Sequence, residues 1–152
     1  MGKLKEGYFK EACAEYAKRL GAYCRLKITE LPESRLSDNP SEKEIAAALE
    51  NEGKQILTLI PQSAAVIPLC IEGTELSSEM LAWRLDKLMT EGTSCICFII
   101  GSSYGLSDSV KKRAVLRLSM SPMTFPHRLA RVMLLEQIYR SFSILGNGKY
   151  HK

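Results

Sequence analysis

The chain has 152 residues, of which 45% are hydrophobic and 25% charged, with a net charge of +4 at pH 7. This length fits one domain with its own core, and we predict a single domain over residues 1–152. The apolar runs are too short for a membrane span, and the N-terminus carries no secretory signal. We therefore expect a cytoplasmic protein. The small positive charge favours an anionic partner only weakly.

The cysteines and histidines argue against a bound metal. The five cysteines are scattered and form no Cys-x-x-Cys pair, and the chain has only two histidines. A zinc site needs a closer set of ligands, so we predict no metal. Cys70, Cys95 and Cys97 lie in apolar, strand-like runs and are most simply reduced residues of the core.

Five segments have the spacing or the capping residues of helices. Apolar residues recur about one turn apart over residues 5–20, which is typical of an amphipathic helix. Ser41 and Glu44 form a capping box at the start of a second helix. The third, fourth and fifth helices are predicted to open at Ser77, Ser107 and Pro126.

Four runs are predicted to be strands, namely residues 23–31, 64–71, 94–100 and 115–119. The second and third runs are almost continuously apolar, which is typical of strands that are buried on both faces. Residues 72–75 are predicted to form a loop. Because strands alternate with helices, we predict an α/β fold with a mostly parallel sheet flanked by helices.

Parallel sheets bind ligands outside the carboxyl ends of their strands. Three predicted loops qualify here: residues 69–73, 101–105 and 120–125. Gly101 and Gly105 permit the close approach of a ligand, but their spacing is not that of a dinucleotide fingerprint or a phosphate loop. A plain turn is the alternative. The position of a site is therefore predicted, but its ligand is not.

The C-terminal part joins a stiff loop with two prolines to a helix. Glu136 and Arg140 lie four residues apart on this helix, a spacing at which they can pair. The chain then ends on Tyr150-His151-Lys152, an unusual set of side chains for a terminus. An ordinary terminal helix with a frayed tail is the alternative to a functional site.

Six motifs together resemble one known family. In this order, over essentially the whole chain, they resemble the RlmH family of small bacterial SPOUT-class methyltransferases that act on 23S ribosomal RNA. The last three are the most specific. The motifs are Gly2-Lys3-Leu4-Lys5-Glu6, Tyr16-Ala17-Lys18-Arg19-Leu20, Ile99-Ile100-Gly101, Met123-Thr124-Phe125-Pro126-His127, Glu136-Gln137-Ile138-Tyr139-Arg140 and Tyr150-His151-Lys152.

The resemblance implies a fold and an activity. The fold would be of the SPOUT type with a deep trefoil knot in the C-terminal half, an exception to the rule against threaded chains. The protein would be a homodimer that uses S-adenosylmethionine as methyl donor, without a metal. Its product would be N3-methylated pseudouridine in the intersubunit stem-loop of 23S rRNA, made on the assembled ribosome. Neither a membrane nor DNA is implied as a partner.

The resemblance also implies site residues. His151 would handle the proton, since histidine titrates near neutral pH. Tyr150 would stack on the base or hydrogen-bond it, and Arg140 or Lys152 would hold phosphate. Glu136 would orient Arg140 or His151, or would form with Arg140 only a structural pair across the dimer. The implied cofactor-binding positions are Leu69, Gly101, Met120, Ser121, Pro122, Met123, Thr124 and Phe125.

Two other functions stay open, and one feature departs from the family. The chain could be a non-catalytic ribosome-binding factor, or a SPOUT enzyme that modifies transfer RNA. Family members open with a short apolar strand before the Gly-Lys-Leu-Lys-Glu motif, whereas this sequence begins at Met1. Either the start was assigned late or this edge strand is absent, which would expose a backbone edge of the sheet.

Overall fold

The computed structural model describes residues 1–2, 4 and 6–146. Helices and strands alternate along most of the chain, and the three strands form one parallel sheet, which confirms the predicted α/β class. Within the described residues no helix is long and apolar enough to cross a membrane. The order of the elements is α1 (Gly7–Leu20), α2 (Glu42–Leu59), β1 (Ala65–Glu75), α3 (Ser78–Thr90), β2 (Ile96–Ile99), α4 (Asp108–Lys112), β3 (Leu118–Ser119) and α5 (His127–Leu145).

Three of the predicted helix starts, those of α2, α3 and α4, are confirmed by their capping contacts. Ser41 and Glu44 form the capping box of α2, in which the Ser41 amide donates to Glu44 Oε2 over 2.8 Å. Ser77 and Ser107 accept backbone amides at the starts of α3 and α4. The helix α5 begins at His127, so Pro126 precedes the helix and does not lie in its first turn. Side-chain acceptors satisfy amides that the first helical turn leaves without a partner.

The chain divides into two compact units that are interleaved in sequence. The sheet unit comprises the described residues within 1–3, 30–75 and 93–127, and therefore all three strands together with α2 and α4. The helical unit comprises those within 4–29, 76–92 and 128–152, which include α1, α3 and α5 except for the first residue of α5, His127.

Strand β1 lies in the centre of the sheet and changes its neighbour midway. The strand order is β2-β1-β3. On one side Ala65 to Pro68 pair with Ile96 to Ile99, and on the other side Leu69 pairs with Leu118. The pairing with β2 ends at Pro68, whose partner Ile99 is the last residue of β2. The first half of β1 is buried, as the apolar run predicts.

The predictions of loops at residues 69–73 and 72–75 are wrong, because β1 continues to Glu75. After a register shift, Thr74 pairs with Leu118, and the Thr74 amide donates to the Arg117 carbonyl over 2.8 Å. Gly73 permits this contact, since a Cβ at this position would lie 2.7 Å from the Arg117 carbonyl oxygen. Turn-forming residues predicted a loop, but here the glycine serves the close approach of two backbones.

The prediction of a strand at residues 23–31 is also wrong. Residues 23 and 24 belong to the turn after α1, and residues 25–31 have no regular secondary structure. In the described part of the chain no strand pairs with this segment. Tyr23 and Ile28 remain about half exposed. A β-like sequence forms a strand only where a neighbour supplies backbone partners and a surface to pack on.

Each unit has apolar residues removed from solvent. In the sheet unit, side chains from α2, β1, β2 and α4 form the core, with Met1 and Leu31 packed against it. The helical unit buries Leu20 of α1, Leu85 of α3 and Leu134 of α5. The core cluster of the sheet unit is Ile56, Val66, Cys70, Ile99, Leu106 and Val110.

The five cysteines are free thiols. Cys70 is buried, as predicted, whereas Cys95 and Cys97 are only partly buried and do not belong to the core cluster. Their two sulfur atoms lie 3.7 Å apart. Burial, with a contribution from the Cys95 hydrogen bond, raises the pKa of the Cys97 thiol to about 11. Burial also raises the pKa of Cys70.

Replacing Gly73 with alanine should destabilise the protein by about 2 kcal/mol, because the new methyl group would meet backbone atoms that cannot move aside. The matched control is Gly7→Ala at the start of α1, where nothing lies within 4 Å of an added Cβ. This control should be neutral or slightly stabilising. Urea unfolding of both variants measures the difference, and equal midpoints would contradict the backbone contact.

The raised pKa of Cys97 predicts slow alkylation in the folded protein. At pH 8 its thiolate fraction should be about a hundredfold lower than in the unfolded chain, so iodoacetamide should label it correspondingly more slowly. Peptide mass spectrometry with and without urea compares the rates, and equal rates would refute the prediction. Since the folded state holds this proton more tightly, the associated stability is present below the unfolded pKa and is lost as the pH rises towards 11.

Candidate active site

The carboxyl edge of the sheet brings the three predicted ligand segments next to one another. Pro68 is in register with Ile99 at the end of β2, and Leu69 is in register with Leu118 near the end of β3. Residues 101–105 follow β2 and residues 120–125 follow β3. Leu69 therefore lies between the ends of β2 and β3, whereas β1 itself continues to Glu75, which is in register with Ser119. This is where ligands bind in parallel sheets.

Residues 101–105 form a tight turn, called here the 101–105 turn. Ser102 and Gly105 exchange both backbone hydrogen bonds, at 3.2 and 2.9 Å. Gly105 has φ of +94°, and a Cβ at Gly101 would lie 2.3 Å from the Gly105 carbonyl oxygen. Both glycines are required by the turn itself. The alternative of a plain turn thus accounts for them, and their contact with a ligand stays a prediction.

Residues 120–125, called here the 120–125 segment, are held by serine side chains. The buried Ser119 hydroxyl donates to the Ser121 carbonyl over 3.1 Å, and the Ser121 hydroxyl accepts the Met123 amide over 3.0 Å. The Met123 side chain is 70% exposed. A flexible thioether beside fixed backbone groups is suited to cover an apolar ring such as a purine.

A buried carboxylate that the sequence analysis did not identify supports the 101–105 turn. Glu52 of α2 is only 4% exposed. Its Oε1 accepts the Ser34 amide over 2.6 Å, and its Oε2 accepts the Ser102 hydroxyl over 2.8 Å. The sequence does indicate that Glu52 is buried, because Glu52 lies in the apolar stripe that Ile45, Leu49 and Ile56 form on α2. An acid on the inner face of a helix indicates a specific polar partner.

Glu52 borders a small cavity of about 50 Å³ between α2, the 101–105 turn and the loop before α2. Tyr104 and Glu33 also line it. This volume suffices for a few water molecules, but it is much smaller than the roughly 300 Å³ of a site for a drug-sized ligand. It is therefore part of the support behind the turn and not the space for a cofactor.

His127 begins α5 and faces a carboxylate of the sheet unit. Its Nε2 lies 3.6 Å from Glu33 Oε1, so the two groups form an ion pair when the histidine is protonated. Gly2 passes close to both, since a Cβ there would lie 2.8 Å from the carboxylate oxygen and 3.0 Å from the ring nitrogen. These contacts give His127 structural partners at the start of the last helix.

The pairing of Glu136 with Arg140 is confirmed in the helical unit. The Arg140 Nε and Nη2 atoms lie 2.9 and 2.5 Å from Glu136 Oε1. The other oxygen of Glu136 accepts the Gln137 amide group over 2.7 Å, and Gln137 in turn accepts the Ser78 hydroxyl over 2.7 Å. Glu136 therefore orients the Arg140 guanidinium.

Four aromatic rings and one arginine form a cluster in the helical unit, called here the aromatic cluster. The Arg19 guanidinium carbon lies 5.7 Å from the ring centres of both Tyr16 and Tyr139. Tyr23 stacks on Phe142 with ring centres 5.5 Å apart. Such cation–π and stacking geometry also suits the faces of nucleic-acid bases. The sequence analysis did not predict this cluster, because its members come from three separate segments.

Three of the predicted site residues are not placed by these observations. Tyr150, His151 and Lys152 lie outside the described residues. Across the described part of the chain, no group of three or more histidine, cysteine or acidic side chains is placed to hold a metal ion.

Comparison with known proteins identifies the family. A family described as "Predicted SPOUT methyltransferase" matches residues 1–151. Two proteins of Clostridium perfringens, from strains SM101 and 13, are named "Ribosomal RNA large subunit methyltransferase H 1" and "Ribosomal RNA large subunit methyltransferase H". Each is 50% identical over 152 residues, which are 100% of this chain and 96% of the relative. The chain therefore belongs to the SPOUT methyltransferase family.

Proposed function

We propose that this protein transfers a methyl group from S-adenosylmethionine to N3 of a pseudouridine in the intersubunit stem-loop of 23S rRNA, on the assembled ribosome. The observation that carries the proposal is the full-length similarity to large-subunit rRNA methyltransferases, combined with a parallel sheet whose carboxyl edge gathers the three predicted cofactor segments around Leu69. Because its substrate would be the ribosome, the protein would act in the cytoplasm. It would be a homodimer, and its chain would form the trefoil knot of the family.

The cofactor would lie along this edge of the sheet. Leu69 and Met123 offer apolar surface for the adenine, and backbone groups of Gly101 and the 120–125 segment offer hydrogen bonds to its polar edge. These segments are held by the Ser102–Gly105 bridge and by the serine contacts at residues 119–123. Rigid support suits a reaction that depends on positioning, because methyl transfer needs the donor and the acceptor nitrogen in line.

The acceptor needs a group that removes a proton. Pseudouridine carries a proton on N3, so the nitrogen lone pair becomes available only when that proton leaves. The bound cofactor supplies an electrophilic methyl group whose departure leaves a neutral thioether. We assign the removal of this proton to His151, because a histidine side chain ordinarily titrates near neutral pH. We assign contact with the base to Tyr150.

Arg140 is assigned to the RNA backbone. Its guanidinium is oriented by Glu136, and a planar guanidinium matches the geometry of phosphate. Lys152 is a second candidate for phosphate contact. A purely structural role of the Glu136–Arg140 pair at a dimer interface is the alternative, and it predicts that loss of the pair lowers stability and not turnover.

The aromatic cluster is a candidate surface for unpaired RNA bases. Tyr23 is 46% exposed, and the segment around it carries four exposed cations, Lys18, Arg19, Arg25 and Lys27, with no acidic residue among residues 18–27. RNA-binding proteins stack splayed bases on tyrosine rings and guanidinium planes and hold the backbone with basic side chains. The charge of this surface therefore matches the proposed substrate.

The proposed activity predicts where labelled methyl groups go. Labelled S-adenosylmethionine is offered to intact ribosomes, separated subunits and bulk transfer RNA, all from a strain that lacks the modification. We expect label in 23S rRNA and only with intact ribosomes. Label in free transfer RNA would favour the transfer-RNA enzyme, and binding to ribosomes without label would favour the non-catalytic factor.

His151→Ala should lower the turnover number on ribosomes by about a hundredfold or more, since a positioned acid–base group contributes that much to proton transfer. The matched control is His127→Ala, which removes the other histidine and its ion pair with Glu33. The control should keep most of the turnover. Full activity of His151→Ala would show that His151 does not remove the proton.

A further inference from the structure

Glu52 connects three parts of the sheet unit through its two carboxylate oxygens. It belongs to α2, one oxygen accepts the Ser34 amide of the preceding loop, and the other accepts the Ser102 hydroxyl of the 101–105 turn. The side chain is almost fully buried. A buried carboxylate with two fitted donors is expensive to desolvate and is retained where its geometry matters.

Gly53, the next residue of α2, lies against the start of α4. A Cβ at Gly53 would lie 2.0 Å from the Ser107 hydroxyl oxygen, so α2 passes in direct contact with the start of α4. The chain from Ser102 to Ser107 is therefore fixed at both ends by one turn of α2. Between these anchors lie Tyr104 and Gly105, and Gly101 precedes them.

We propose that Glu52 is a positioning residue for cofactor binding, which acts by holding the 101–105 turn so that the Gly101 backbone faces the carboxyl edge of the sheet. This inference rests on the proposed function, because Gly101 binds a cofactor only in that account. In this role Glu52 does not contact the cofactor. Its effect passes through the Ser102 hydroxyl.

A glutamine at position 52 separates geometry from charge. Its carbonyl oxygen can accept the Ser34 amide, and its amide group can donate to the Ser102 hydroxyl, because a hydroxyl both donates and accepts. Glu52→Gln therefore keeps both hydrogen bonds and loses the negative charge. Glu52→Ala loses both bonds and leaves the Ser34 amide without its partner.

The test measures binding of S-adenosylmethionine and of S-adenosylhomocysteine by calorimetry in the full-length protein. We expect Glu52→Ala to weaken both ligands by about tenfold or more, and Glu52→Gln to stay within about threefold of the unaltered protein, given the net worth of such hydrogen bonds. If Glu52→Gln bound S-adenosylmethionine more weakly but bound S-adenosylhomocysteine as before, the proposal would be overturned. Only S-adenosylmethionine carries the sulfonium charge, so this result would mean that Glu52 acts through its charge and not through its hydrogen bonds. Unchanged binding by Glu52→Ala would also overturn it.

A pair of substitutions in the turn tests the same claim without altering α2. Ser102→Ala removes the hydroxyl that Glu52 accepts, whereas Ser103→Ala alters the adjacent residue of the same turn. We expect Ser102→Ala, and not Ser103→Ala, to raise the KM for S-adenosylmethionine several-fold while the KM for ribosomes stays constant. A general loss of structure would change both KM values, and equal effects of the two substitutions would contradict the positioning role.

These outcomes are distinguishable from failure of the proposed function. If the unaltered protein binds neither S-adenosylmethionine nor S-adenosylhomocysteine, the cofactor assignment itself is wrong. If it binds both and Glu52→Ala binds them equally well, only the role of Glu52 is wrong. Circular dichroism melting of Glu52→Ala serves as the folding control, and Glu52→Gln and Ser102→Ala provide the comparison should that variant fail to fold.

Discussion

The change of neighbour along β1 is the constraint on which the candidate site depends. The pairing with β2 ends at Pro68 because β2 itself ends at Ile99, its partner, and the register with β3 begins at Leu69. β2 therefore ends beside the middle of β1, whereas Leu118 of β3 is in register with Leu69 and, after a register shift, with Thr74. The segments that follow β2 and β3 thus leave the sheet from two strands that both reach the neighbourhood of Leu69.

The segments at this edge are held mainly by backbone geometry and by small hydroxyl side chains. Gly101 and Gly73 permit backbone contacts that any side chain would prevent. Ser102, Ser119 and Ser121 then tie the loops with hydrogen bonds to a carboxylate and to backbone groups. Such bonds are individually modest, but they reduce the number of conformations from which a ligand must select. Loops held in this way suit a cofactor that is bound through backbone groups.

Much of the fold was predictable from the sequence, and the errors have physical causes. Capping serines predicted the starts of α2, α3 and α4, and continuous apolar runs predicted β1 and β2. Residues 23–31 have strand-like composition, but a strand also needs a partner, which local patterns do not reveal. The buried role of Glu52 depends on Ser102, fifty residues away, and the aromatic cluster depends on α1 and α5. Contacts of this range follow from topology and not from spacing.

The central claim is that the carboxyl edge of the sheet around Leu69 binds the cofactor. The most direct test is a titration of the ¹⁵N-labelled protein with S-adenosylhomocysteine, with the backbone amides followed by NMR. We predict the largest shift changes at Leu69, at Gly101 and in the 120–125 segment, with little change in α1. Changes confined to other surfaces, or none at saturating ligand, would contradict the account.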